Sequence, residues 1–502
     1  MNKLSEGSTM LWASLLICDA KSCLLFLFLF FMILVLLMRR RNSSNFPPGP
    51  WWISSWGKIS VVLDHHAIGK MSEKYGRIFS LRGLSDKAVC VSGYKLVSDV
   101  LVTQGEHFVD CHVSALDNHI FQGHGIFRSN GYKWRRQRQF LIGQIKNCVY
   151  GKRTLELHIQ QECASLCEAM QAEGGRPFNP HAVVINAAAN VIATLAFGKR
   201  FDYDCSDFQS FLKLRARTAL LKADPLVQLY SEFLRLMRRK SGQHMTILNN
   251  YTKLAAFVKK QIEKHKEDWD PFHHRDFIDS YIGEIDKRRK DTEAGFTVDN
   301  LVYCILDLFE AGTETITSTL LWALLFMIKY PGVQRKVHSE IDRVIGNSRP
   351  PCPSDRLNMP YTNAVLHETL RAGRVLPSNR PRLTSIDATV GGHLIPEGTL
   401  MFAHLSSVLN DKSEWETPDH FNPKHFLDDL GSFHQREAFF PFSAGRRACL
   451  GESLAWMELF LFFTSLLQKF TFAPRDGAEL SLEAQGKDIL SPAPFQLRIS
   501  PQ

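Results

Sequence analysis

The sequence predicts a mainly α fold with minor β sheet (an α+β chain) carried behind an N-terminal membrane anchor. Three observations lead there. Apolar residues recur with a helical period through long runs from Gly131 to Gly346. Strand-like segments are few and short. Near the start, residues 22–38 (SCLLFLFLFFMILVLLM) carry no charge and run directly into Arg39, Arg40 and Arg41.

The anchor comes first in the chain. Its apolar stretch spans roughly 25 Å as a helix, the short end of what a bilayer core of about 30 Å needs. A cleaved signal peptide carries its charges before the apolar run and small residues after it. Here the charge follows and no small-residue cleavage site appears, so the segment reads as an uncleaved anchor. The arginines place everything after them on the cytosolic side, which also argues against glycosylation at Asn42. Residues 1–21 are then a luminal segment, 22–38 the transmembrane anchor, and 39–50 a basic, proline-rich linker ending in PPGP. Residues 51–502 form the globular body.

Within the body, strands are expected near 77–83, 88–93 and 495–499. A hairpin is expected over 389–403, where Gly391–Gly392 supplies the turn. The longest helix should run from Thr297, a good N-cap residue, to Tyr330, because Pro331 stops it.

Composition narrows the function. The net charge of +9 is spread among acidic residues along helical stretches, with no basic tail and no aromatic-interleaved strands, so nucleic acid is not an expected partner. Eleven cysteines lack a disulfide-framework rhythm. Cys163 and Cys167 share a helical face but have no second ligand pair near them in sequence, which argues against zinc.

The informative cysteine is Cys449, in FSAGRRACLG. Gly445 and Gly451 allow a tight loop and close approach to a flat ligand, and Arg447 offers a partner for a carboxylate on that ligand. The helix that follows points its positive end at the sulfur and favours a thiolate. A lone cysteine in such a turn otherwise reads as a structural residue. Its spacing, however, is the F-x-x-G-x-R-x-C-x-G signature of the cytochrome P-450 family. PPGP, WRRQR, FEAGTETITST and FNPKHFLDD stand in the family's order before it. From Pro47 to Ile499 the chain resembles that family, most closely its microsomal vertebrate family-2 group. The resemblance implies one large triangular haem domain.

It also implies roles. Cys449 would be the axial thiolate on haem iron, with Phe442 beside it and Gly445, Gly451 and Ala311 close to the cofactor. Trp134, Arg138, Arg382 and Arg447 would meet the haem propionates. A basic residue expected in the loop after Phe108 is replaced by Cys111. Glu314 and Thr315 would be the acid–alcohol pair that relays protons during oxygen activation. Glu368 and Arg371 would form a structural charge cluster, with His420 standing where the family commonly has arginine.

The pocket is less legible. Glu310 and Arg380 are charges where the family group has small or apolar residues. They pair across the cavity, or Arg380 grips a substrate carboxylate, or both turn away. Ile120, Phe121, Val375, Leu376, Ile489 and Leu490 are further candidates by family position. The apolar helical face within 220–239 is core or a lipid-facing substrate entrance. Lys133, Arg135, Arg136 and Arg446 form a candidate docking patch for an acidic reductase.

The resemblance therefore implies a haem-thiolate monooxygenase on the cytosolic face of the endoplasmic reticulum membrane. It would oxidise a lipophilic substrate of the xenobiotic, fatty acid or steroid class. Electrons would come from NADPH through a flavoprotein reductase, with cytochrome b5 as a further partner. A haem-thiolate isomerase or peroxide user, and a haem-binding protein without turnover, are the rival readings.

Overall fold

A computed structural model describes residues 25–33, 45–50, 65–82, 87–151, 154–224, 227 and 242–502. Residues 25–33 are helical, and all nine side chains, from Leu25 to Ile33, are apolar and exposed. The remainder of the expected anchor, and most of the 220–239 face, lie outside the described residues.

The body opens with α1 (His65–Tyr75), β1 (Ile78–Arg82), β2 (Lys87–Ser92) and α2 (Tyr94–Ser98). After β3 (Asp110–Cys111) come α3 (Ala115–Phe121), α4 (Gly131–Lys146), α5 (Thr154–Gln171), α6 (His181–Phe197), α7 (Ser206–Ala223), α8 (Gln243–Glu267) and α9 (Phe277–Lys287). The central helices are α10 (Val298–Gly312) and α11 (Glu314–Lys329), followed by α12 (Pro331–Val344) and α13 (Pro360–Gly373). Then come β4 (Arg382–Leu383), β5 (Ala388–Val390), β6 (His393–Ile395), β7 (Leu400–His404) and α14 (Leu405–Leu409). The chain closes with α15 (Glu452–Lys469), β8 (Phe470–Pro474), β9 (Ala484–Gln485), β10 (Ser491–Pro492) and β11 (Leu497–Pro501).

Strands form near 78–82, 87–92 and 497–501 as expected, whereas the hairpin expected over 389–403 closes by Ile395 and Leu400–His404 joins the main sheet instead. The β5–β6 hairpin turns at Gly391 and Gly392, with φ of 56° and 82°, a region that glycine enters without steric cost. The main sheet runs β1-β2-β7-β4-β3, with β2 and β7 parallel and the other pairs antiparallel. It pairs Cys111 with Arg382 and so joins two segments that are far apart in sequence.

One large core holds α5, α6, α10, α11 and α15. From Ile316 to Ile328 every residue of α11 is buried, which explains why the longest apolar run after the anchor is a core helix. Thr297 caps α10 by accepting from the Asn300 N–H at 3.1 Å. The expected single helix to Tyr330 is instead two, interrupted at Thr313. Gly312 lets α6 come close: a Cβ there would meet Ile192 Cδ1 at 2.4 Å. Gly312, of low helix propensity, directly precedes the interruption, and no proline marks it.

Candidate active site

Cys449 sits between a 3-10 turn (Gly445–Arg447) and the start of α15. Its N–H donates to the Phe442 carbonyl at 2.9 Å, which closes the loop. Gly445 has φ 74°, and a Cβ there would lie 1.7 Å from the Leu101 carbonyl oxygen. Phe442 packs edge-on against Trp456, with ring centroids 5.7 Å apart.

Burial pushes the Cys449 thiol up to about 11, against a hydrogen bond from the Gly451 N–H and the nearby Arg138 charge, which pull it down. Yet Cys449 is exposed by surface area. A group that is solvent-accessible but deeply desolvated faces a recess in the protein rather than bulk water.

Four of the sequence-predicted residues gather beside this loop. The Arg447 guanidinium lies 3.8 Å over the Trp134 ring, and that of Arg138 lies 5.9 Å from it. Arg138 donates to the Ala448 carbonyl, and Arg447 donates to the Val109 and Ser129 carbonyls and to Asn130 Oδ1. Arg382 is buried on β4. Burial lowers all three arginines, and for Arg447 burial, helped by repulsion from Arg382 and Arg138, brings the value to about 10. Among the described residues none of the three has a carboxylate within salt-bridge distance. One buried and two half-buried cations without a carboxylate partner are costly unless a ligand supplies the anion.

Glu314 and Thr315 directly follow the helix interruption at Thr313. Thr315 Oγ1 donates to the Ala311 carbonyl at 2.6 Å. Glu314 accepts from Arg215 Nη2 of α7 at 2.8 Å. Ala311 is half-buried.

Two expectations about charge are corrected. Glu310 does not pair with Arg380, and it is not turned out to water. Arg128 Nη2 donates to both Glu310 oxygens, at 2.9 and 3.1 Å. Arg128 also reaches Asp307 at 2.9 Å and Asp117 at 3.3 Å. Burial would raise Glu310, but Arg128, Lys222 and Arg380 outweigh it and hold the carboxyl at about 2. Sequence reasoning missed Arg128 and Asp307. The available signal was Asp307 and Glu310 three apart on an otherwise apolar helix, a face that needs a cation.

The structural cluster is corrected at His420. Arg371 and Glu368 make two contacts of 2.7 Å with no exposed side-chain surface. The His420 ring is exposed, and only its backbone carbonyl accepts from Arg371. His425 takes the place instead, with Nδ1 3.1 Å from Glu368.

Other candidates are distributed unevenly. Val375 and Leu490 are joined by a backbone hydrogen bond of 2.8 Å, with Leu376 partly exposed and Ile489 packed nearby. Ile120 and Phe121 pack into a satellite core with Leu116, Val227 and Ile247. In the expected docking patch, Lys133 turns inward to the Gly123 carbonyl and Arg446 pairs with Glu106. Arg135 remains exposed.

A thiol raised by desolvation, beside arginines with no carboxylate partner among the described residues, marks an anion-binding site built around sulfur. The comparisons agree with that class. The cytochrome P450 family model matches residues 47–499. Cytochrome P450 2J2 of Homo sapiens is 43% identical over 461 residues, covering 91% of this chain and 92% of the relative. Cytochrome P450 2J1 of Oryctolagus cuniculus is 42% identical with the same coverage. Cytochrome P450 2D3 of Rattus norvegicus is 40% identical over 464 residues, covering 91% and 93%.

The chain belongs to the cytochrome P450 family and resembles its microsomal vertebrate family-2 members. It is a monooxygenase whose cofactor is haem held through a cysteine thiolate, the family's mode of ligation. The donor set fits that cofactor: a thiol in a recess for the iron and unpaired guanidiniums for its carboxylates.

Proposed function

We propose that this chain inserts one oxygen atom of O2 into a lipophilic substrate, with electrons from NADPH through a flavoprotein reductase. Cys449 would be the iron ligand. Arg138, Arg382, Arg447 and Trp134 would meet the propionates, with Phe442, Gly445, Gly451 and Ala311 shaping the seat. Bound haem supplies the oxygen-activating chemistry, favoured by electron donation from thiolate.

The observation that carries this reading is the interruption at Thr313, which leaves Glu314 and Thr315 at the break in a buried helix pair. A hydroxyl there hands on a proton, and the carboxylate behind it restores that proton. Arg215 holds Glu314 in place. Val375, Leu376, Ile489 and Leu490 would form the pocket wall, with Ile120 and Phe121 supporting it from behind.

The proposed location is the endoplasmic reticulum membrane, with 1–21 luminal, 22–38 spanning, 39–50 as linker and 51–502 cytosolic. The exposed apolar helix at 25–33 supports it. The reductase, and cytochrome b5 if it takes part, would dock on the thiolate side, where Arg135 and Arg136 are the remaining cations of the patch.

The test is the reduced, carbon-monoxide-bound spectrum of haem-loaded protein beside Cys449→His. The parent should show the red-shifted thiolate band and the variant should lose it. NADPH-dependent product with reductase supplied should follow. Turnover with peroxide alone, or haem binding without NADPH consumption, would favour the rival readings.

A further inference from the structure

The end of α6, the end of α8 and the start of α9 meet at one buried carboxylate, that of Asp276. Its Oδ1 accepts from the Asp279 N–H at 3.1 Å and so caps α9. Its Oδ2 stands 2.7 Å from the place a Cβ would take at Gly198, the residue of φ 66° that ends α6. The same Oδ2 lies 2.7 Å from Nε2 of His265, a buried side chain in the last turn of α8. The other ring nitrogen, Nδ1, lies 2.8 Å from the Gln261 carbonyl oxygen.

Both nitrogens of the His265 ring therefore face oxygen. A carbonyl only accepts, so Nδ1 carries a hydrogen, and the carboxylate opposite Nε2 calls for a second. The contacts are complete when the ring is an imidazolium. Burial pulls its value down, but the bond to Asp276, the Asp276 charge, the Gln261 carbonyl and Asp279 outweigh burial and raise it above the usual 6.5. The neighbouring charges have other partners. Arg275 holds Asp279 through Nε and Nη2, and Asp268 through Nη1 and Nη2. Lys264 and Lys266 flank His265 on the exposed side of α8, and Lys199, just past α6, is repelled by Lys264. Among the described residues His265 is the one cation within ion-pair distance of Asp276. His265, Asp276 and Asp279 do bring ligating atoms within 4.8 Å of one another, but Arg275 occupies Asp279, so they are not an open metal site.

We propose that His265 and Asp276 form a proton-operated clamp, which pins the end of α8 to the start of α9 and the end of α6 while the ring is charged and releases that corner when the ring loses its proton. A neutral ring keeps one N–H for two acceptors. It either turns a lone pair toward the carboxylate or gives up the Gln261 carbonyl, and Asp276 is left buried without a cation. The direction with pH follows from the raised value. The clamp is fully engaged below the unfolded histidine value of 6.5 and is lost as pH rises through the higher folded value. It is independent of the oxidation chemistry, because neither residue belongs to the haem seat or the proton route.

The experiment is amide hydrogen exchange of the haem-loaded full chain in detergent from about pH 6 to about pH 9, corrected for the intrinsic pH dependence of exchange and read peptide by peptide. In the wild type, protection across 260–282 should fall at least about tenfold with rising pH, while peptides of the buried α11 keep theirs. His265→Gln should remove the step. Asp276→Asn keeps an oxygen to cap α9 but lacks the charge that holds the proton, so its step should move to lower pH. Protection that stays flat with pH in the wild type overturns the clamp. So does a step that persists in His265→Gln or stays in place in Asp276→Asn. A step shared by α11 peptides is global unfolding and overturns it as well. If His265→Gln does not fold, the wild-type profile and Asp276→Asn decide the matter between them.

Discussion

Arg128 grips Glu310 through one nitrogen at 2.9 and 3.1 Å, and so fastens the loop before α4 to the last turn of α10. The same guanidinium bonds Asp307 on the next turn back, and its face lies 3.9 Å from the Phe121 ring centroid. One side chain thus ties a loop, a helix and an aromatic cluster together. Removing it strands acids that are already desolvated. Arg128→Met should destabilise the haem-loaded protein by about 3–5 kcal/mol in equilibrium denaturation. Glu310→Gln in that background should recover part of the loss, and a double-mutant cycle should give a coupling energy well above zero.

The network also sets opposite acid responses. Glu310 is lowered from 4.5 to about 2 because its cations outweigh burial. Its stabilising effect is complete above the unfolded value and is lost as pH falls toward about 2. Asp307 is raised from 3.8 to about 6, first by burial and then by Glu310, against Arg128 and the two backbone donors. Its folded form holds the proton longer, so stability declines as pH rises from about 4 to 6. Melting curves across that range should show wild type losing ground to Asp307→Asn. The advantage of wild type over Glu310→Gln should shrink only at lower pH.

Gly445 is irreplaceable on steric grounds. Alanine there would adopt φ 74° and drive its Cβ into the Leu101 carbonyl. Gly445→Ala should cost at least about 3 kcal/mol, or yield little haem-loaded protein. Gly451, where no protein atom lies within 4 Å of the position a methyl group would take, should accept alanine with a far smaller loss of folding stability.

Thr315→Ala removes the hydroxyl at the helix break but leaves the buried α11 packing intact. Productive turnover should fall on the order of a hundredfold while haem binding and the carbon monoxide spectrum stay normal. NADPH consumption should fall less, with the difference released as peroxide. Arg215→Ala frees Glu314 from its 2.8 Å partner and should change the solvent isotope effect of turnover. An unchanged product-to-NADPH ratio in Thr315→Ala would remove the hydroxyl from the proton route.

The sequence by itself determined the class, the element pattern and the identity of the thiol loop. Glycines, prolines and helical periodicity act locally, and the Cys449 motif is a contiguous run whose spacing survives folding. It also singled out Glu310 and Arg380 as charges that need an explanation. Only the tertiary structure decided their partners, because Arg128 lies 182 positions from Glu310 and nothing in either neighbourhood links them. The same holds for His425 in place of His420, since the ring that reaches Glu368 is fixed by the loop's path rather than by its place in a motif. The break at Thr313 belongs there too. No proline or residue of low helix propensity beyond Gly312 marks it, and it arises where α6 presses against a helix that lacks a side chain at that point. Short-range chemistry is written in order along the chain, whereas charge pairing and close packing depend on which distant segments the core brings together.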